Sequence, residues 1–396
     1  MFISSLRAKW TLVLVANLIV IGGIICYWFG GLSVIPDSIP QISETPPPQE
    51  NIQITQQPSH TVTVTVQVTP TSSSTELTSI KHCDPYQEPG YFDITDKVHS
   101  NMKYISLNPS CQPMASNIVN RIKEKDSIPE LLNKTMIFIG DSVDRFHIDR
   151  LCSSTLSNEF KTYQDDHNHI WNTTDKVPNS FPRVCNNDIY NFTVVNYFIY
   201  GFDLQGVWAD RKKVFPEPFK WRDRVDLSLN AYQTLNRGDP HVAFIGISLW
   251  ELARFDILSK LANDTEVISF NETQLNEYRD NLVELITTLR QRMPQTRLVF
   301  RESHFPKSNP NRFDGDKLPR TYRFSAQKVS QLNRIASEVM TKMKAEYWPV
   351  GELTQNMPKE QILQDIVHPS GTALELIWVP GVFEYLMRTT LNYQVL

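Results

Sequence analysis

The sequence lacks any strong bias of charge: 39 Lys and Arg stand against 43 Asp and Glu, a net of −4 over 396 residues. That balance leaves no electrostatic footprint for a nucleic-acid partner. No internal repeat is visible. Charge is missing altogether from Trp10 to Phe29, and no Lys or Arg follows that stretch until Lys81. Residues 31–80 contain little Leu or Phe, so this segment has too little to bury to form a core of its own. Cysteine is scarce, with five in the chain.

Each absence frames something present. The twenty uncharged residues WTLVLVANLIVIGGIICYWF match a hydrocarbon core of about 30 Å at about 1.5 Å per helical residue, and predict a membrane-spanning helix over 10–29. A cleaved signal peptide would have a shorter apolar region and a small-x-small site, which is not found after Cys26. Arg7 and Lys9 precede the segment, so residues 1–9 are expected in the cytosol and everything beyond it in a lumen or outside the cell. Residues 30–80, rich in Pro, Thr, Ser and Gln, read as a stalk suited to O-glycosylation. One cysteine, Cys26, falls in the apolar segment, while Cys83, Cys111, Cys152 and Cys185 follow it, an even set that suggests two disulfides. Three connectivities are open, and closure between sequence neighbours favours Cys83 with Cys111 and Cys152 with Cys185. Sequons at Asn133, Asn172, Asn191, Asn263 and Asn271 point to the same compartment.

Residues 81–396 are long enough for one α/β domain with insertions. Short apolar runs at 136–140, 192–200, 241–247, 297–302 and 346–350 predict buried strands. Helical periodicity over 274–291 and 325–344 alternates with them, which argues for a mostly parallel sheet covered on both faces. In such sheets ligands bind beyond the carboxyl ends of the strands.

The first predicted strand runs directly into Gly140-Asp141-Ser142. Glycine permits the tight bend, and a Ser at the strand-to-helix turn is exposed beside backbone N–H groups that suit a developing oxyanion. Taken alone, the same residues read as a helix N-cap. Near the other end, Asp365 and His368 stand three residues apart before an apolar helix. That spacing allows His368 to accept a proton from Ser142 while Asp365 fixes its tautomer. By itself this pair also reads as a cap and a solvated His.

The two motifs together resemble the SGNH/GDSL hydrolase superfamily. The closer likeness is to its PC-esterase and trichome birefringence-like branch, where a single-pass anchor, a stalk, GDSxxR and a terminal DxxH occur together. Here they are GDSVDR, with Arg145, and DIVH. The resemblance implies a three-layer flavodoxin-like fold and Golgi enzymes that add or remove O-acetyl groups on glycans. It implies an oxyanion hole from Ser142 and from Gly201 in YFIYGFDL, and substrate contacts from Arg145, Trp250 and Arg301. The third block normally supplies an Asn; this chain has FIGISLWEL, so Ser248 or a backbone N–H must substitute. No metal or bound cofactor is expected, only an acyl donor such as acetyl-CoA if the enzyme is a transferase.

Three other functions compete with an acetyltransferase. A carbohydrate O-acetylesterase would use the same three residues with water as acceptor. A non-catalytic glycan-binding protein is suggested by the missing Asn. A glycosyltransferase would use Asp314-Gly315-Asp316 as a metal pair, but FDGDKLPR reads as a polar loop, as does DDHNH at 165–169.

Overall fold

The computed structural model describes residues 83–94, 102–152, 160–163, 182–209, 215–262, 267–307 and 323–390. These all belong to one compact unit, 77–396. The predicted span 10–29, the stalk 30–80, Asn172, Asn263, Asp314, Asp316 and the stretch 165–169 lie outside the described residues. Among the described residues no helix is long and apolar enough to cross a membrane.

Among the described residues nine strands form two sheets. A hairpin, β1 (Gly90–Ile94) with β2 (Met102–Ser106), stands by itself. The main sheet comprises β3 (Thr135–Gly140), β4 (Phe160–Tyr163), β5 (Arg183–Asn187), β6 (Phe192–Phe198), β7 (Val242–Gly246), β8 (Arg297–Arg301) and β9 (Glu346–Trp348), in the order β4-β5-β6-β3-β7-β8-β9. The five strands from β6 to β9 are mutually parallel, and β4 and β5 extend the sheet antiparallel. Counted along the chain, the parallel strands follow the flavodoxin-like order 2-1-3-4-5, which puts the topological switch point between β3 and β7.

The composition of the strands explains their depth. TMIFIG and VAFIG are buried at every position, as expected of strands covered on both faces. One apolar layer carries Met136 and Phe138 together with helices α1 (Ile118–Lys123) and α2 (Ser142–Arg150) and the C-terminal helix. The other carries Ile137 and Ile139 against helices α3 (Trp221–Gln233), α4 (Ser248–Leu261), α5 (Glu272–Arg292) and α6 (Ala326–Lys342). The expected α/β class and helices on both faces are therefore present.

Both neighbour disulfides form. Cys83–Cys111 closes the entry to the unit, and Cys152–Cys185 ties the end of α2 to β5. Closing a loop with a sequence separation of 33 stabilises by about 3 to 4 kcal/mol in the chain-entropy account. Of the sequons, Asn133, Asn191 and Asn271 are exposed. Asn271 caps α5, and the Asn191 amide donates to Asn133 Oδ1 at 2.7 Å.

Candidate active site

The site grows from the carboxyl end of β3. Gly140 leads into Asp141, the N-cap of α2, whose side chain accepts from the Val143 and Asp144 N–H groups, while Asp144 accepts from the Asp141 N–H at 3.2 Å. This capping box consumes the first-turn donors except the N–H of Ser142, which stands next to its own hydroxyl.

Beneath the turn lies a buried ion-pair network. Arg301, at the end of β8, donates from Nε to Asp144 Oδ1 at 2.7 Å and from Nη2 to Asp144 Oδ2 at 2.9 Å, with Asp141 Oδ1 at 3.4 Å. It reaches across β7 because Gly140 and Gly246, paired across the two strands, leave a slot. A Cβ on Gly140 would strike the Asp144 carboxylate, and one on Gly246 would strike both Asp144 and the Arg301 guanidinium. Burial pushes the Asp141 carboxyl up, and Arg301 pulls it back.

The second half of the site is a loop before the C-terminal helix. Asp365 Oδ1 accepts from the N–H groups of Val367 and His368, both at 2.8 Å, and Asp365 Oδ2 meets His368 Nδ1 at 2.7 Å. Burial pushes the Asp365 carboxyl up, but the His368 ring and these two N–H groups outweigh it and hold it below the ordinary value. The loop is braced by the Lys307 N–H on Ile366 O at 2.8 Å and the Gln364 N–H on His368 O at 2.9 Å. A helix runs from Gly371, through a π-turn at Leu374–Trp378, into α7 (Val379–Met387).

The halves meet: His368 Nε2 lies 2.8 Å from Ser142 Oγ, across a sequence separation of 226. Phe146, one turn along α2, packs edge-on against the His368 ring at 4.7 Å, and the Arg145 guanidinium lies 4.7 Å over Phe146. The His368 side chain is 20% and the Asp365 side chain 47% exposed, so solvent and solutes reach the cluster.

The remaining predicted residues separate. Gly201, with φ +74°, turns the chain after β6 against the buried Glu251 carboxylate, which accepts from the Phe202 N–H and is paired with Arg254. Trp250 is half-buried within Phe198, Tyr200, Trp208 and Phe215. Two others are buried. Arg301 is fully buried, with its guanidinium on Asp144 and Asp141, and so braces the Ser142 turn from beneath. Ser248 is 1% exposed, and its hydroxyl lies 3.1 Å from that of Tyr278. Asp144 was missed by the sequence reading, although its place three residues after an Asp cap is a capping-box signature.

His147, further along α2, is fully buried against Phe138, and burial, then Arg301, holds its ring below the ordinary 6.5, at about 3. Between these values the unfolded chain binds a proton that the folded chain refuses, so stability is lost by about 1.4 kcal/mol per unit as pH falls through that window. His147→Phe removes this contribution. In urea unfolding, the free-energy difference should move in favour of the variant by about 1.4 kcal/mol per unit of acidification below pH 6.5; parallel curves would contradict a neutral buried ring.

No known family model matches the chain, and no curated protein matches it. Among solved structures it is similar to a putative GDSL-like lipase from Parabacteroides merdae, at 13% identity and a TM-score of 0.37, covering 65% of this chain and 97% of that one. It is also similar to the periplasmic domain of a lipopolysaccharide acetyltransferase from Salmonella ser. Paratyphi A, at 13% identity and a TM-score of 0.35, covering 65% and 85%. A third is a peptidoglycan O-acetylesterase, at 9% identity and a TM-score of 0.33, covering 70% and 97%. Likeness at this level leaves the chemistry to be read from the site itself.

Proposed function

We propose that this chain is a serine-dependent acyl-ester enzyme of the SGNH type, in which Ser142 is the nucleophile, His368 the general base and acid, and Asp365 the carboxylate that orients His368. One observation carries the reading: the His368 ring is bonded through one nitrogen to Ser142 Oγ at 2.8 Å and through the other to Asp365 at 2.7 Å. Surface hydroxyls and imidazoles have no packing reason to adopt that chain of contacts, and it is what proton removal from a serine requires.

The steps follow from the atoms. Ser142 Oγ attacks the acyl carbonyl carbon while its proton passes to His368 Nε2. The imidazolium is stabilised by Asp365, and the oxyanion is met by the N–H of Ser142, to which the family resemblance would add that of Gly201. His368 then protonates the leaving oxygen or sulfur, and the acyl group remains on Ser142 as an ester. An incoming hydroxyl gives its proton to His368 and attacks that ester, which frees the product and restores the Ser142 hydroxyl. If the hydroxyl belongs to a sugar the enzyme is an O-acyltransferase, and if it belongs to water it is an esterase.

We favour O-acetyl transfer to glycans in a secretory-pathway membrane such as the Golgi. The uncharged segment 10–29, the basic residues before it, the sequons and the disulfides support a lumenal enzyme, and the GDSVDR and DIVH motifs support the chemistry. The donor is an activated acetyl compound such as acetyl-CoA. Incubation of the purified full-length chain with p-nitrophenyl acetate, followed by peptide mass spectrometry, is expected to find acetate on Ser142. Ser142→Ala should show neither the adduct nor nitrophenol release above background. Equal release from both chains overturns the reading, and adding oligosaccharide acceptors separates transfer from hydrolysis.

A further inference from the structure

We propose that His304 is a positioning residue for His368, acting through the carbonyl of Val367. The proposal deepens the reading of Ser142 and His368 as an acyl-transfer pair and rests on it.

His304 follows the end of β8 by three residues and is fully buried, its ring edge-on to Trp378 at 5.7 Å. Its Nε2 lies 2.7 Å from Val367 O. A carbonyl only accepts, so Nε2 carries the hydrogen. Burial, then Arg301, holds the ring's protonation at about 3, so His304 is neutral and Nδ1 is bare. Among the described residues Nδ1 has no hydrogen-bond partner. A buried polar atom left in that state is destabilising. Phe or Leu would fill the space beside Trp378 without that cost, so what a histidine adds here is its N–H.

What that N–H holds is specific. Val367 O belongs to the peptide whose other end is the His368 N–H, and that N–H goes to Asp365 Oδ1 at 2.8 Å. The peptide plane leading into His368 is therefore gripped from both edges, by His304 on one side and Asp365 on the other. Asp365 is a neighbour within the same loop and fixes only local shape. His304 comes from the end of β8, next to Arg301, which is bonded to the residues flanking Ser142. It thus sets the loop against the same strand that sets the nucleophile turn.

The test compares His304→Gln, which keeps a nitrogen donor near the Nε2 position, with His304→Phe, which keeps the volume alone, in the full-length chain. His304→Phe is expected to lower kcat for p-nitrophenyl acetate by about 10²-fold with KM unchanged, and His304→Gln to recover most of the loss. Wild-type kcat in the Phe variant, or equal losses in both, overturns the proposal. Should the Phe variant lose its near-ultraviolet dichroism, His304→Asn takes its place: its shorter side chain leaves Val367 O unmet, and rates equal to those of the Gln variant overturn the proposal. A readout independent of turnover is the downfield proton signal of the His368–Asp365 hydrogen bond. It should persist in His304→Gln and broaden in His304→Phe. If Ser142→Ala turns over ester as fast as wild type, the acyl-transfer reading fails separately, and this signal alone decides whether His304 orders the loop.

Discussion

His368→Ala is expected to lower kcat for an activated acyl ester by about 10³-fold or more while leaving the urea midpoint nearly unchanged. The two halves of this expectation come from different features. Turnover falls because no other base is bonded to Ser142 Oγ among the described residues, His147 being buried against Phe138 and His304 being committed to Val367. Stability is spared because the His368 side chain is partly exposed and its main contacts are Phe146 and the loop that carries it. Asp365→Asn should cost about 10²-fold or more, since an amide against Nδ1 favours the wrong tautomer while the local turn survives. Because Asp365 is held below the ordinary carboxylate value, it stays ionised through mildly acidic pH, and activity lost there reflects other groups. Steady-state kinetics of both variants is the check, and near-wild-type turnover in His368→Ala would remove it as the base.

Arg301→Met should cost at least 3 to 5 kcal/mol, the range for breaking a buried ion pair by removing one partner. Here one cation answers two carboxylates, Asp144 at 2.7 Å and Asp141 at 3.4 Å, with all three side chains at 1% exposure or less. The variant leaves both acids in the interior without a positive charge. Their folded values must then lie above the unfolded value, so the stability still present at low pH is lost as pH rises through the folded values. The deficit relative to wild type should therefore shrink on acidification. Urea titrations at pH 8 and pH 5 test this. A constant deficit would mean that Arg301 contributes packing rather than charge.

How much of this was legible depended on whether the cause was local. The strands β3, β6, β7 and β8 announce themselves as apolar runs because both of their faces are covered, and β9, half-buried at the sheet edge, as the short aromatic stretch before Pro349. The antiparallel flank was not read, since FKTY is short and RVCNN is polar, and the neighbouring β6 and a disulfide hold them in place rather than any periodicity. The pairing of Ser142 with His368 was readable only as motif grammar, because its cause is the topology that brings the start of the sheet to the loop before the last helix. Arg301 shows the opposite failure. An arginine ending a strand suggests the surface, and only the glycine slot across β7 reveals that it turns inward to Asp144. The Ser248 hydroxyl was likewise taken from its position in the third block, whereas Tyr278, reaching over from α5, decides its partner.

The slot between Gly140 and Gly246 has an evolutionary consequence. Asp144 and Arg301 occupy the volume that two β-carbons would take, so these four positions form one epistatic unit. An alanine at either glycine is disruptive while the ion pair stands and far less so once both charged residues have been replaced by small apolar ones. Drift at these sites should therefore proceed by joint replacement, and among relatives of this chain the four should covary, with either two glycines and a buried salt link or neither.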